Sequence, residues 1–114
     1  MQSHFRVETR SEGSATVLTL TGELDLASAP TLEDELGKAL TGAGGRVVVD
    51  LRELEFIDST GLSVLVKAHQ RAQERDSEFA VVRGGAQVQR LLALTGLEDR
   101  LTVAETPEEL LRGE

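Results

Sequence analysis

The sequence contains no cysteine, no tryptophan and no tyrosine, and only two prolines. Without cysteine there are no disulfides, no thiolate metal sites and no thiol nucleophile. With aromatic residues at 3 %, the core has to be built from Leu, Val, Ile and Ala. The two histidines, His4 and His69, are too few and too far apart for a zinc site. Positive charge is scarce as well: 12 Lys and Arg stand against 20 Asp and Glu, a formal net charge of −8. That sign argues against nucleic acid or an anionic membrane as a partner. No run approaches the roughly 18 consecutive apolar residues of a membrane span. The opening "MQSHFRVETR" lacks the apolar centre of a secretion signal. The expectation is a cytoplasmic chain, and its 114 residues fit one domain with one core.

Hydrophobic patterning is clear along most of the chain. "FRVETR" alternates Phe5, Val7 and Thr9 against polar residues, as a half-buried strand does. "EGS" at 12–14 turns the chain, and "TVLTLTGEL" is a second strand, so 5–24 reads as a hairpin. In "SAPTLEDELGKAL", Pro30 suits a first helical turn, and Leu32, Leu36, Ala39 and Leu40 share one face. "TGAGG" at 41–45 stops that helix. "RVVVDL" is short, continuous and β-branched, the pattern of a strand covered on both faces. A helix from about Ser59 to Arg75 follows, then the strand "EFAVVRG" and the helix "AQVQRLLALTG". "RLTVAE" is a short last strand, and "TPEELLRG" carries the capping-box pair Thr106 and Glu109 before it ends at Gly113. Strands and helices alternate as β-β-α-β-α-β-α-β-α. This order predicts an α/β fold, with a mixed, mostly parallel central sheet of about five strands and four helices.

Sites in such sheets gather beyond the carboxyl ends of the strands. Asp25, Asp50 and Asp58 all fall near such ends, and Ser59 and Thr60 sit beside Asp58. The enzyme motifs that would use such a place are missing. There is no G-x-S-x-G elbow, no phosphate-cradling G-x-x-x-x-G-K-[ST] and no G-x-G-x-x-G. An aspartyl-phosphate receiver built on Asp50 would want a lysine at a later strand end, where "AVVRGG" offers only Arg83. No cofactor and no metal are expected. The hydroxyl of Ser59 has two readings. It caps the following helix, a task Asp58 performs equally well, or something is done to it.

At 100° per residue, Leu62, Leu65, Val66, His69 and Ala72 form the apolar stripe of that helix, with Gly61 and Ala68 at its edge. On this wheel His69 is a partly buried structural residue. Thr60, Ser63, Lys67, Gln70, Arg71 and Glu74 occupy the opposite side, and Val64 points toward them. An outward valine beside Ser59 is expected to belong to a docking surface together with Lys67.

Three stretches, "LTGELDLASAP" at 20–30, "VVVDLRELEFIDSTGLSVL" at 47–65 and "LLALTGLEDRL" at 91–101, resemble the anti-sigma factor antagonists of the STAS domain family. Their order and spacing cover the chain from about residue 5 to 112, which makes residues 1–114 a single STAS domain. The resemblance implies a switch. The unphosphorylated protein binds an anti-sigma factor, itself a serine kinase of the GHKL ATPase class, and so frees a sigma factor. Phosphorylation of Ser59 ends the binding, and a PP2C-type phosphatase restores it. By the same match Asp58, Thr60 and Gly61 form the environment of the phosphosite. Glu23 and Asp25 belong to the neighbouring surface. Ser63 departs from the family pattern, where glycine is commoner, and adds a hydroxyl one turn above the site. The competing readings are a STAS scaffold or transporter-associated subunit without phosphorylation, and a small nucleotide-binding enzyme.

Overall fold

The computed structural model describes residues 4–41 and 45–111. Strand β1 (Arg6–Glu12) and strand β2 (Ala15–Leu24) form an antiparallel hairpin, with Glu12 opposite Ala15. Helix α1 (Ala29–Thr41) leads to β3 (Arg46–Asp50), and β4 (Leu54–Ile57) comes directly before α2 (Ser59–Glu74). Then follow β5 (Glu78–Val82), α3 (Ala86–Leu94), a 3-10 turn at Leu97–Asp99, β6 (Thr102–Ala104) and α4 (Pro107–Leu111). The strand order is β1-β2-β3-β5-β6, and every pair except β1–β2 is parallel. The mixed, mostly parallel sheet and the four helices match the sequence reading. Part of the 41–45 helix stop and the Gly113 end of the last helix lie outside the described residues.

One strand escaped that reading. Among the described residues β4 pairs with β2 alone, beyond the end of β3, and is the sixth strand of the sheet. β2 therefore serves two neighbours in turn: residues 15–19 pair with β3, and residues 22–24 pair with β4. The register shifts between Gly22 and Glu23. Gly22 takes φ +88 there, a left-handed conformation open to glycine at little cost. Among the described residues no strand lies beside the outer edge of β4. Gln87, in the first turn of α3, closes it instead: its Oε1 accepts from Ile57 N–H at 3.0 Å and its Nε2 donates to Ile57 C=O at 3.0 Å. A side-chain amide here replaces one rung of a β ladder.

Alternation along the strands divides the core. Leu18, Leu20, Val47, Val49 and Val81 form one cluster with the buried faces of α1, α2 and α3. The alternate positions Val17, Val48 and Val82 form a second, small cluster on the other face of the sheet, against Leu110 of α4. β3 is thus covered on both sides, as its continuous apolar run implied. Asp50 ends β3 on the α4 side and is 2 % exposed. It is no free strand-end acid: Arg52 meets both its oxygens, at 2.8 and 3.0 Å. The bond to Asp50 holds the Arg52 guanidinium above its ordinary pKa. The capping pair of α4 forms in altered guise. Thr106 Oγ1 accepts from Glu109 N–H, while the Glu109 carboxylate reaches the N–H of Glu105 rather than that of Thr106.

The wheel placed Val64 on the outer side of α2, and the structure corrects this. Val64 is 5 % exposed and belongs to the main core cluster. α1 packs alongside α2, so α2 buries a flank against a helix as well as a face against the sheet. At about 100° per residue its buried arc runs about 160°, from Leu62 through Leu65 and Ala68 to Val64. Ser63, Lys67, Gln70, Arg71 and Glu74 are exposed, and Thr60 is half-buried. The polar side of α2 is thus exposed as the wheel has it, and Val64 is not part of it.

Candidate functional site

The corner between β4 and α2 is built by Asp58. Its backbone is extended, φ −112 and ψ −176, and its Oδ1 accepts from the N–H of Gly61 at 2.9 Å. Its carbonyl accepts from Leu62 N–H, the first bond of the helical ladder. Asp58, not Ser59, is therefore the N-cap of α2. Its Oδ2 accepts from Leu26 N–H at 3.2 Å, and its own N–H donates to the carbonyl of Leu24 at 3.1 Å. One side chain thus fixes both the start of α2 and the loop after β2. With both oxygens engaged, its negative charge is held in place.

Gly61 explains its own identity. A Cβ at this position would lie 2.7 Å from Leu24 Cγ and 2.9 Å from Ile57 Cγ1. Both of those side chains are wholly buried. Glycine lets the first turn of α2 approach β2 and β4 closely enough for Asp58 to reach Leu26.

Asp25 plays a corresponding part for α1. Its Oδ1 accepts from the N–H groups of Ala27 and Ser28, at 3.0 and 3.1 Å, and from Ser28 Oγ at 3.1 Å. Buried Ser28 also accepts from Asp25 N–H at 2.9 Å, and its hydroxyl lies 2.8 Å from Glu23 C=O. The half-buried Asp25 shapes this turn from within, whereas Glu23 is exposed. Sequence reasoning missed Ser28. A Ser three residues after an Asp, ahead of a helix, was the available signal.

Ser59 is the first residue of α2 and is exposed. Its carbonyl accepts from Ser63 Oγ at 3.1 Å, so the additional hydroxyl one turn up bonds back to the backbone. Among the described residues, no hydrogen bond uses the Ser59 hydroxyl. The corner is also short of cations: the sequence has no Lys or Arg between Arg10 and Lys38, or between Arg52 and Lys67. His69, the only imidazole on α2, lies ten residues from Ser59, about 15 Å along the helix axis. It rests against Phe79 with ring centroids 6.2 Å apart. A Ser–His pair is ruled out by that distance. No cluster of His, Asp and Glu suited to a metal ion occurs among the described residues, and none of their helices is long and apolar enough to cross a membrane.

The capping assignment has a direct check. Asp58→Ala removes the acceptors of Gly61 and Leu26 and is expected to lower stability by about 1–2 kcal/mol. Ser59→Ala removes no cap and should stay within about 0.5 kcal/mol of the parent. Denaturant titration of the two variants gives both values, and the reverse ranking would make Ser59 the cap.

Comparison with known proteins agrees with this architecture. The family model described as "Mlab, STAS domain" matches residues 7–110. The anti-sigma-F factor antagonist RsfB of Mycobacterium tuberculosis is 31 % identical over 97 residues, covering 85 % of this chain and 79 % of that protein. The anti-sigma-B factor antagonist of Staphylococcus aureus is 28 % identical over 105 residues, 92 % of this chain and 97 % of its own. Among solved structures, an anti-sigma factor antagonist from Mycobacterium paratuberculosis superposes with a TM-score of 0.88 at 27 % identity, covering 96 % of this chain and 92 % of the other. The chain belongs to the STAS domain family.

Proposed function

We propose that the protein is an anti-sigma factor antagonist switched by phosphorylation of Ser59. The observation that carries this is the division of labour at the corner. Asp58 performs the capping, which leaves an exposed serine hydroxyl at a helix start with no structural task. The names of the relatives support the same reading. In it the partner is an anti-sigma factor that is itself a GHKL-type serine kinase, and a PP2C-type phosphatase reverses the modification. The protein works in the cytoplasm and catalyses nothing itself. It binds the anti-sigma factor, and the sigma factor is released.

A phosphate on Ser59 suits the fold. The N–H groups of Ser59 and Thr60 are among the orphan donors that a helix start leaves, and the helix dipole favours negative charge there. The modification therefore acts on the complex rather than on the folding of the domain. Incubation with a candidate kinase and ATP, followed by peptide mass spectrometry, tests the assignment. Phosphate is expected on Ser59 and not on Thr60 or Ser63, and none without the kinase. Phosphate recovered mainly on Thr60 would move the switch, and ATP turnover by the protein alone would make it an enzyme.

A further inference from the structure

We propose that Leu26 and Phe56 are the apolar anchors that seat the anti-sigma factor on the Ser59 corner, an inference that rests on the proposed function. Among the described residues, the exposed large apolar side chains are Leu26 at 73 %, Leu94 at 75 % and Phe56 at 39 %. Single exposed leucines need no explanation. The placement of these is the point: two of the three belong to the corner itself. Leu26 is bonded through its N–H to Asp58, and Phe56 stands three residues before Ser59. Phe56 pairs with Glu23 across β2–β4, while the next pair, Leu24 and Ile57, is fully buried. Alternation therefore turns Phe56 and Glu23 together to the outer side of that ribbon. The loop that raises Leu26 is held by the carboxylates of Asp25 and Asp58, so its display costs little ordering on binding.

The chemistry of the corner selects its occupant. Exposed Glu23 and the fixed carboxylates, with no Lys or Arg in the flanking segments, reject nucleic acid and anionic lipid. A protein face with apolar hollows for Leu26 and Phe56 and a neutral or basic rim opposite Glu23 fits. Apolar anchors ringed by polar contacts that exclude water are the usual carriers of binding energy. They also give the switch its cause. A serine hydroxyl is cheap to bury in an apolar contact, and a phosphate dianion in the same contact is not.

Titration of the full-length, unphosphorylated protein against each purified GHKL-type kinase of its own organism provides the test, with Leu26→Ser, Phe56→Ser and Leu94→Ser alongside. Leu26→Ser and Phe56→Ser are each expected to weaken binding at least tenfold, and Leu94→Ser to leave it unchanged. Melting curves accompany the titrations, and Leu26→Ser, at an exposed position, should melt with the parent. Parent-like binding by Leu26→Ser, while the parent itself binds, would overturn the anchors and leave the function standing. Equal losses in all three variants would do the same. A parent protein that binds none of the kinases would overturn the proposed function, and the anchors with it.

Discussion

Phosphorylated on Ser59, the protein is expected to bind its anti-sigma factor two to three decades more weakly than the unmodified form, a loss of roughly 3–4 kcal/mol. Ser59→Ala should bind like the unmodified protein and resist inactivation, and Ser59→Asp should fall between the two. The geometry gives two causes that act together. A phosphate brings about −1.5 to −2 charges to a place where Asp58 cannot turn away, because both its oxygens are bonded. It also has to be desolvated if Leu26 and Phe56 are covered by the partner. Salt separates these causes. Repulsion between exposed charges is screened within about 3 Å at 1 M ionic strength, whereas desolvation remains. If the loss persists between low and high salt, desolvation is the main term. If the affinity recovers in high salt, charge crowding at Asp58 is. Calorimetry with Ser59→Ala and Ser59→Asp, at two ionic strengths, measures both. Equal affinity for the two variants would remove the electrostatic account of the switch.

The sequence carried most of the architecture because its periods are strong. Leu32, Leu36 and Leu40 recur at helical spacing and are all buried in α1. "VVVD" is continuous, and every one of those residues is buried in β3. β4 was not legible because "LEFI" has neither signature: Leu54 and Ile57 are buried while Glu55 and Phe56 are exposed, which neither alternates nor runs continuously. What makes it a strand is distant, namely β2 on one side and the amide of Gln87 on the other. At the site, the motif singled out Asp58, Ser59 and Gly61, but not which of the first two caps the helix. That depended on where the Asp58 oxygens point, toward Gly61 and Leu26. The reach across 32 residues to Leu26 is a product of the fold and has no local signal. Phe56 and Leu26 passed unnoticed because no strand was legible at 54–57, and a single apolar residue outside a periodic element has no face until the sheet fixes it.

Val64 failed for the same reason in the opposite direction, and its substitution should have the largest effect on stability. A wheel judged against a sheet alone leaves Val64 outside, since it lies about 100° from Leu65. With α1 packed beside α2, that flank is interior, and Val64 is 5 % exposed among leucines and valines. Val64→Asp would place a carboxylate there with no cation in reach on its own helix until Lys67, which is exposed. The variant has to bury an unpaired charge or open the α1–α2 contact. Either course is expected to lower stability by on the order of 3–5 kcal/mol, a large share of what a domain of this size possesses. The melting temperature should fall by roughly 10 °C or more. Lys67→Glu, one turn along the exposed side, should stay within about 0.5 kcal/mol. Paired melting curves and binding titrations then distinguish core from interface. Val64→Asp should lose binding only as far as it loses folded protein, so that affinity per folded molecule below its transition is near that of the parent. A variant that melts with the parent yet binds tenfold more weakly would return Val64 to the partner surface and displace α1 from the flank of α2.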